Sequence, residues 1–486
     1  MAVLFFEKRQ NVTKNRRINR ISLLIRMEMI EKGRNILRVA FLSLGCKVNY
    51  YETEKMKKQF TERGHMIVSF EEEADIYIVN TCTVTNIADR KSRKMLHRAR
   101  RMNGDALVVA AGCYVDSVRR RGKSVNADEA GIIEGVDFFV GNDEKERLAE
   151  ILEDAVRERD SQAVGQKSVA AEKEEHTRAY LKVQDGCNQF CTYCIIPYVR
   201  GPLASKPESE VVAEVERLAG LGVQEVVLTG IHLSSYGVDF TEKKSFLELG
   251  GRPLLSLVEA VGQVPGIRRI RLGSLEPRII THAFAEKLSA LEKVCPHFHL
   301  SLQSGCDETL KRMNRHYTGE EYLEKLEILR KYFAHPAITT DIIVGFPGET
   351  EEEFSATCEF ARKAEFARIH VFKYSQRQGT MADAMEGQVP EQAKARRSDR
   401  LIQIGRELER AYCAPFSGQD TRVLMEEISE FQGKDYLVGY NERYVRVAVP
   451  VEDRAEAESL CNKIVSVRLS GEEREGICMG EVIQNK

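Results

Sequence analysis

No apolar run in the 486-residue chain approaches the roughly 18 residues needed to span a bilayer. The longest candidate, Ala106 to Cys113, has the size of a buried strand, so no transmembrane segment is expected. Charge of one sign is also lacking. The formal net charge is −2, which gives no global pull toward a polyanion, so a nucleic-acid partner must be held by local patches. Cysteine, with 12 residues, is too sparse for a disulfide scaffold. The N-terminus lacks an apolar signal core followed by a small-residue cleavage site. Together these point to a reducing cytoplasm, where clustered cysteines read as metal or redox ligands. No internal repeat is evident. What remains is 43% hydrophobic and 30% charged, too apolar for a largely disordered chain and long enough for about three domains.

Residues 1–36 are basic (Lys8, Arg9, Lys14, Arg16, Arg17, Arg20, Arg26) with little periodicity, and Met27 and Met29 follow. They read as a disordered tail or an early translation start, with targeting or RNA binding as the minority reading. From 37 to 155, apolar runs (Leu37–Leu44, Ile76–Val79, Ala106–Ala111) alternate with helical stretches (Tyr51–Arg63, Ile87–Met102), which predicts a parallel α/β domain. Residues 156–177 are charged and small and read as a linker. Between 178 and 412 come six strand-like runs: Ala179–Val183, Glu225–Leu228, Arg268–Leu272, His297–Leu302, Ile338–Val344 and Ile369–Tyr374. Helical segments separate most of them, which suggests a partial (β/α) barrel with its chemistry at the C-terminal strand ends. From 413 to 486 short alternating runs (Thr421–Met425, Tyr436–Tyr440, Val445–Val449, Ile464–Leu469, Ile477–Val482) suggest a small antiparallel β-barrel. The fold class is thus α/β and multidomain.

The sharpest motif is Cys187-Asn-Gln-Phe-Cys191-Thr-Tyr-Cys194, directly after the first strand of the barrel-like region. Three thiolates at this spacing can ligate three irons of a 4Fe-4S cluster and leave the fourth iron open to a small molecule. Zinc usually takes four ligands in paired Cys-x-x-Cys form, and no second pair follows; a disulfide would need an oxidising compartment. Upstream, Cys46 (SLGCKVN), Cys82 (NTCTVT) and Cys113 (AGCY) each follow an apolar run by one to three residues. In a parallel sheet those loops share the C-terminal edge and can converge. Any one of them alone reads more readily as a buried small hydrophobe; three at equivalent strand ends fit a second cluster. Cys295, Cys306, Cys358, Cys413, Cys461 and Cys478 have no such spacing and read as packing residues.

The CxxxCxxC loop with Tyr193 before its last cysteine is similar to that of the radical S-adenosylmethionine (SAM) superfamily. That resemblance implies that the open iron binds the amino and carboxylate groups of SAM, with Cys187, Cys191 and Cys194 as catalytic ligands. Both triplets together resemble the methylthiotransferases, which insert sulfur at an unactivated C–H bond and cap it with methyl. The similarity runs from about Leu37 to about Val482, and its terminal barrel resembles the TRAM RNA-binding domain. SLGCKVNYYETE (43–54), NTCTVTNIADRKSR (80–93) and CNQFCTYCIIPYVRG (187–201) look most like the branch acting on tRNA threonylcarbamoyladenosine. The alternatives within the family are isopentenyladenosine in tRNA and an aspartate of a ribosomal protein.

The resemblance implies two 4Fe-4S clusters, SAM, the tRNA anticodon stem–loop as partner and an electron donor such as flavodoxin or ferredoxin; the sulfur source is left open. Strand-end segments imply SAM contacts at Tyr193, Gly230, Glu276 (ribose), Gln303 and Gly345 (adenine), because glycines permit close approach and polar groups at a barrel mouth hold a ligand. Two departures stand out: Thr229-Gly230 replaces the superfamily's Gly-Gly-Glu stretch, and Ser301 sits where the family often has proline. The basic residues Arg90, Lys91, Lys94, Arg98 and Arg101 follow Cys82, and four of them fall on one helical face suited to phosphates. A second basic run holds Arg119, Arg120, Arg121 and Lys123. By composition alone such runs are usually a solvated face. Tyr436, Tyr440 and Tyr444 read either as base-stacking residues or as barrel core.

Overall fold

The computed structural model describes residues 36–120, 133, 135–159, 177–243, 245–431, 433–474 and 476–483. The basic extension except Ile36, most of the 156–177 linker, and Arg121 and Lys123 lie outside them. The chain divides into two compact units, one built on the N-terminal sheet and one holding Val84–Asn86 and the described residues from 177 onward.

The first unit is a parallel sheet of β1 (Arg38–Ser43), β2 (Met66–Val68), β3 (Ile76–Thr81), β4 (Leu107–Gly112) and β5 (Phe138–Val140), in the order β2-β1-β3-β4-β5. Every residue of β3 and β4 is buried, as helices on both faces require. Ile76 and Ile78 pack with Met56, Phe60 and Leu152 on one face. Tyr77 and Val79 pack with Leu96 and Ala99 on the other. The helix after β1 spans Lys47–Glu62 and the one after β3 spans Asn86–Met102, each starting earlier than the apolar pattern indicates.

The second unit opens with β6 (Arg178–Asp185), β7 (Ala204–Ser205), β8 (Glu225–Gly230), β9 (Arg269–Leu272), β10 (His297–His299), β11 (Ala337–Val344) and β12 (Arg368–Lys373). They form one sheet ordered β7-β6-β8-β9 and another ordered β10-β11-β12, with single parallel bridges Ile270–Val294 and Leu275–Leu300 across the seam. All six expected strands are present and parallel; only the two-residue β7, antiparallel to β6, was not expected. The run His297–Leu302 is strand only as far as His299, because beyond it the pairing is reduced to isolated bridges. Alternation sets the two faces: Leu181, Val183, Val226, Leu228 and Ile342 pack beneath the helices. Their neighbours Tyr180, Lys182, Thr229 and Asp341 therefore face the barrel lumen.

A 23-residue helix, Glu391–Cys413, packs on the region of β12 and leads to β13 (Asp420–Phe431), β14 (Lys434–Asn441), β15 (Arg446–Pro450), β16 (Ile464–Arg474) and β17 (Ile477–Val482). These close into a barrel ordered β13-β14-β15-β17-β16, filled by Val423, Met425, Leu437, Val447 and Val467. It sits against the N-terminal ends of β6, β8 and β9. Arg269 donates to the carbonyls of Arg422 (2.6 Å) and Tyr440 (3.1 Å), and Arg271 to those of Asn441 (2.6 Å) and Glu442 (2.8 Å). Tyr440 and Tyr444 stack on each other at 4.6 Å, with the Arg178 guanidinium over both rings. Both rings are half-buried, and through Arg178 they pack against the floor of the larger barrel. Tyr436 is buried beside Phe431 in the small barrel.

Candidate active site

The loop after β6 carries Cys187, Cys191 and Cys194, and its path depends on Gly186. That residue has φ +65°, and a Cβ there would meet the Pro202 carbonyl oxygen at 1.8 Å. The far end of the loop is pinned by Thr192, whose N–H donates to the Met313 carbonyl (3.1 Å) and whose hydroxyl donates to that of Arg312 (2.9 Å). None of the three cysteines is in a disulfide. Burial, together with the charge of neighbouring thiolates, pushes the Cys187 thiol up to about 11 and the Cys194 thiol up to about 12. Cys187 and Cys194 therefore ionise at neutral pH only beside a strong positive charge, which iron supplies. Among the described residues no three His, Cys, Asp or Glu side chains are gathered tightly enough to hold one metal ion. The donor set fits a multi-iron cluster.

Two residues that the sequence does not flag complete this mouth. Arg315 donates to Cys191 Sγ (3.4 Å), the Ser301 carbonyl (3.2 Å) and the Tyr317 hydroxyl (3.0 Å). Tyr317 in turn donates to the Ser301 and Leu302 carbonyls, both at 2.7 Å. Arg315 lies 121 positions after the last loop cysteine, so no local pattern could have found it. His232, just past β8, has Nδ1 2.7 Å from Ser235 Oγ, while its buried Nε2 has no partner. Burial, then the Arg315 and Arg278 guanidiniums, pull the imidazole down to about 3, so it is neutral.

The expected SAM contacts fall around the same mouth with differing surroundings. Tyr193 packs edge-on to Phe346 at 6.5 Å. Gly230 leaves room for Gln184, whose Oε1 accepts from the His232 N–H at 2.7 Å. Glu276 is 5% exposed and accepts from the Arg278 backbone N–H (2.9 Å) and Nε (2.7 Å). Gln303 has φ +76° and bridges to β11, its N–H donating to the Asp341 carbonyl (2.9 Å). Gly345, at φ +71°, makes way for the stem of Lys394, so its missing Cβ answers to packing.

In the first unit, register places the second triplet. Ser43 pairs with Asn80, Asn80 with Ala111 and Thr81 with Gly112, so Cys46, Cys82 and Cys113 all leave the sheet at one edge. A Cβ on Gly45 would lie 2.9 Å from Cys82 Sγ, which shows how closely those two loops approach. Cys82 and Cys113 are buried and Cys46 is exposed. Asn49 Nδ2 donates to the Leu44 (2.7 Å) and Thr81 (2.9 Å) carbonyls, and Asn80 Nδ2 to the Asn49 carbonyl (2.8 Å). Behind them a buried ion pair joins Lys145 Nζ to Glu52 Oε2 at 2.6 Å. This pair, too, was invisible in the sequence, its partners being 93 residues apart.

The basic residues of helix Asn86–Met102 divide by role. Arg90, Lys91, Lys94 and Arg101 are exposed, whereas Arg98 is paired with Glu71. Arg93 donates to the Tyr114 hydroxyl (3.1 Å), and Arg100 to the Ala106 carbonyl (2.7 Å).

A parallel partial barrel with a three-cysteine loop at its C-terminal strand ends is the architecture of a radical SAM enzyme. The Radical SAM superfamily model matches residues 181–361, and the model described as uncharacterized protein family UPF0004 matches residues 38–133. The chain is 39% identical to threonylcarbamoyladenosine tRNA methylthiotransferase MtaB of Bacillus subtilis, over 89% of this chain and 93% of that one. It is 37% identical to the protein of the same name from Aquifex aeolicus, over 85% of this chain and 100% of that one. To tRNA-2-methylthio-N(6)-dimethylallyladenosine synthase of Caldicellulosiruptor saccharolyticus it is 32% identical, over 89% and 87%. The chain belongs to the radical SAM methylthiotransferase family, whose radical SAM domain implies SAM and a 4Fe-4S cluster. Among the described residues no helix is long and apolar enough to cross a membrane.

Proposed function

We propose that this enzyme converts N6-threonylcarbamoyladenosine beside the tRNA anticodon to its 2-methylthio derivative. The observation that carries the reading is the near full-length identity of 39% and 37% with two relatives named for that substrate, against 32% with the dimethylallyladenosine synthase of Caldicellulosiruptor saccharolyticus. A second 4Fe-4S cluster at Cys46, Cys82 and Cys113 is part of the proposal, supported by the shared strand-end edge. When bound, the cluster in the barrel supplies the electron for reductive cleavage of SAM and the other holds the sulfur to be transferred. The chain's own residues orient and exclude. Arg315 fixes the Cys191 side of the loop, Tyr317 and Ser301 shape the mouth, and Tyr193, Gly230, Glu276, Gln303 and Gly345 form the SAM-facing rim. Exposed Arg90, Lys91, Lys94 and Arg101, with Arg98, hold anticodon-stem phosphates. A small one-electron carrier such as flavodoxin or ferredoxin completes the reaction in the cytoplasm.

The test is nucleoside mass spectrometry of total tRNA from cells with and without the gene. Loss of the 2-methylthio derivative, with its unthiolated precursor accumulating, is the expected result. Loss of the dimethylallyl (isopentenyl) derivative instead, or an unchanged tRNA profile with a mass shift on a ribosomal protein, would reassign the substrate.

A further inference from the structure

One large aromatic side chain of the bigger barrel stands outside its core. On β12, Ile369 and Val371 pack against the helix-covered core, with Gly405 of the helix Glu391–Cys413 lying against Ile369. Alternation therefore turns Arg368, His370 and Phe372 to the lumen. His370 fits that direction: its ring centroid is 5.9 Å from that of His299, the lumen-facing neighbour of the core residue Phe298. Phe372 is 45% exposed, although it is the fifth of six residues in a strand.

Register fixes where the ring sits. Phe372 lies opposite Ile343, and His370 opposite Asp341. Ile343 packs with Met313, Phe346 and Tyr374 in a small cluster that also takes in Tyr193 of the cysteine loop. Phe372 is thus one strand away from a residue that touches the same cluster as that loop. The layer below it is polar: His299 Nε2 is 3.2 Å from Asp341 Oδ2, and His299 Nδ1 is 3.0 Å from Thr339 Oγ1. In the order β10-β11-β12 the strand is at the edge of its sheet, and four of its six residues are exposed. Its lumen face can therefore be reached from the side as well as from the strand ends.

We propose that Phe372 is a stacking platform for a purine ring, and that this ring is the adenine of the target nucleotide. The inference rests on the proposed function and deepens it. A phenyl ring left in water inside a barrel forgoes the free energy that burial would supply, and a flat ligand laid on it recovers that free energy. Unpaired bases of RNA are commonly held in this way, on aromatic side chains. An enzyme that works on an atom of a base must also take the base out of its stack, and Phe372 replaces the neighbour so lost. The open side of the edge strand admits a base that remains attached to a polymer. SAM carries an adenine of its own, which the family resemblance sets at Gly345 beyond the end of β11, and the experiment separates these two sources.

Two anticodon stem–loop RNAs, one carrying threonylcarbamoyladenosine at the target position and one with an abasic site there, are titrated against the cluster-loaded enzyme as wild type, Phe372→Leu and Phe372→Tyr. Iron content and SAM affinity are measured on each protein. Wild type binds the base-bearing RNA more tightly than the abasic one. In Phe372→Leu that preference falls by roughly 5- to 150-fold, the range expected for one lost base–aromatic stack. The fall comes from the base-bearing RNA alone, while abasic-RNA affinity, SAM affinity and iron content stay at wild-type values. Phe372→Tyr keeps the preference, because its ring stacks as well. A preference that survives in Phe372→Leu overturns the assignment, as does an equal loss on both RNAs or a loss confined to SAM affinity. If wild type methylthiolates the stem–loop while any of these holds, the inference fails and the proposed function stands. A wild-type protein that leaves the stem–loop untouched and methylthiolates a ribosomal protein overturns both together.

Discussion

At the scale of single residues, two buried groups, His232 and Lys145, depend on their immediate surroundings. His232 has an Nε2 atom buried without a partner and an imidazole held at about 3 by burial and two guanidiniums. The native state therefore refuses a proton that the unfolded chain accepts below about 6.5, so stability falls as pH drops from that value toward 3. Between pH 7 and pH 5 the expected loss from this group is about 2 kcal/mol. Urea unfolding of wild type and His232→Asn at both pH values checks it, and an equal acid sensitivity in the two proteins would refute it. Lys145 and Glu52 form an ion pair with side chains 5% and 7% exposed, behind the loops of Cys46 and Cys113. Lys145→Met alone strands a buried carboxylate and should cost about 3–5 kcal/mol. Lys145→Met with Glu52→Leu should recover most of that, because both charges are gone. A double variant no more stable than the single one would show that the pair is not coupled.

At the scale of elements, what could be read in the sequence follows from how each piece is stabilised. Strands such as β3, β4 and β11 announce themselves as short apolar runs, and their observed limits fall within a residue or two of those runs. The cysteine loops were legible because each directly follows such a strand. The helix Glu391–Cys413 was not foreseen. Its buried apolar positions are few, Leu401 and Ile404 among them, within a mostly charged sequence, and tertiary packing rather than local pattern holds it. Arg315, Lys145 and the barrel floor were hidden for a related reason: their partners are distant in sequence. That floor carries its own prediction. Burial alone would raise the Glu225 carboxyl, but Arg271, Arg178 and Arg269 outweigh it and hold the group at about 2. Against an ordinary 4.5, this contributes about 3 kcal/mol at neutral pH, present above 4.5 and lost as pH falls toward 2. Glu225→Gln should lower the stability of the barrels by a similar amount at pH 7 and leave less to lose in acid. Thermal melts at pH 7 and pH 3.5 test both halves, and an unchanged melting point at pH 7 would refute the coupling of the two barrels through Glu225.

At the scale of the whole molecule, a net charge of −2 means that attraction to RNA cannot come from the chain as a body. It must come from cations whose charge is not already spent inside the protein. Helix Asn86–Met102 separates the two kinds. Arg93 and Arg100 are tied to Tyr114 and to backbone carbonyls, Arg98 is paired with Glu71, and Arg90, Lys94 and Arg101 project as exposed charges. If these three each neutralise one phosphate, replacing all of them with alanine lowers the slope of log K against log salt by about two to three. The loss should be uniform across RNAs with and without the threonylcarbamoyl group, since phosphate contacts carry no information about the base. Arg98→Ala should change the slope by less than one, because its charge is already shared with Glu71. Binding isotherms at four salt concentrations, on anticodon stem–loop RNAs with and without the threonylcarbamoyl group, decide the matter. A triple variant with the wild-type slope removes this helix from the RNA interface, whereas a loss confined to the modified RNA would place its cations at the base rather than along the stem.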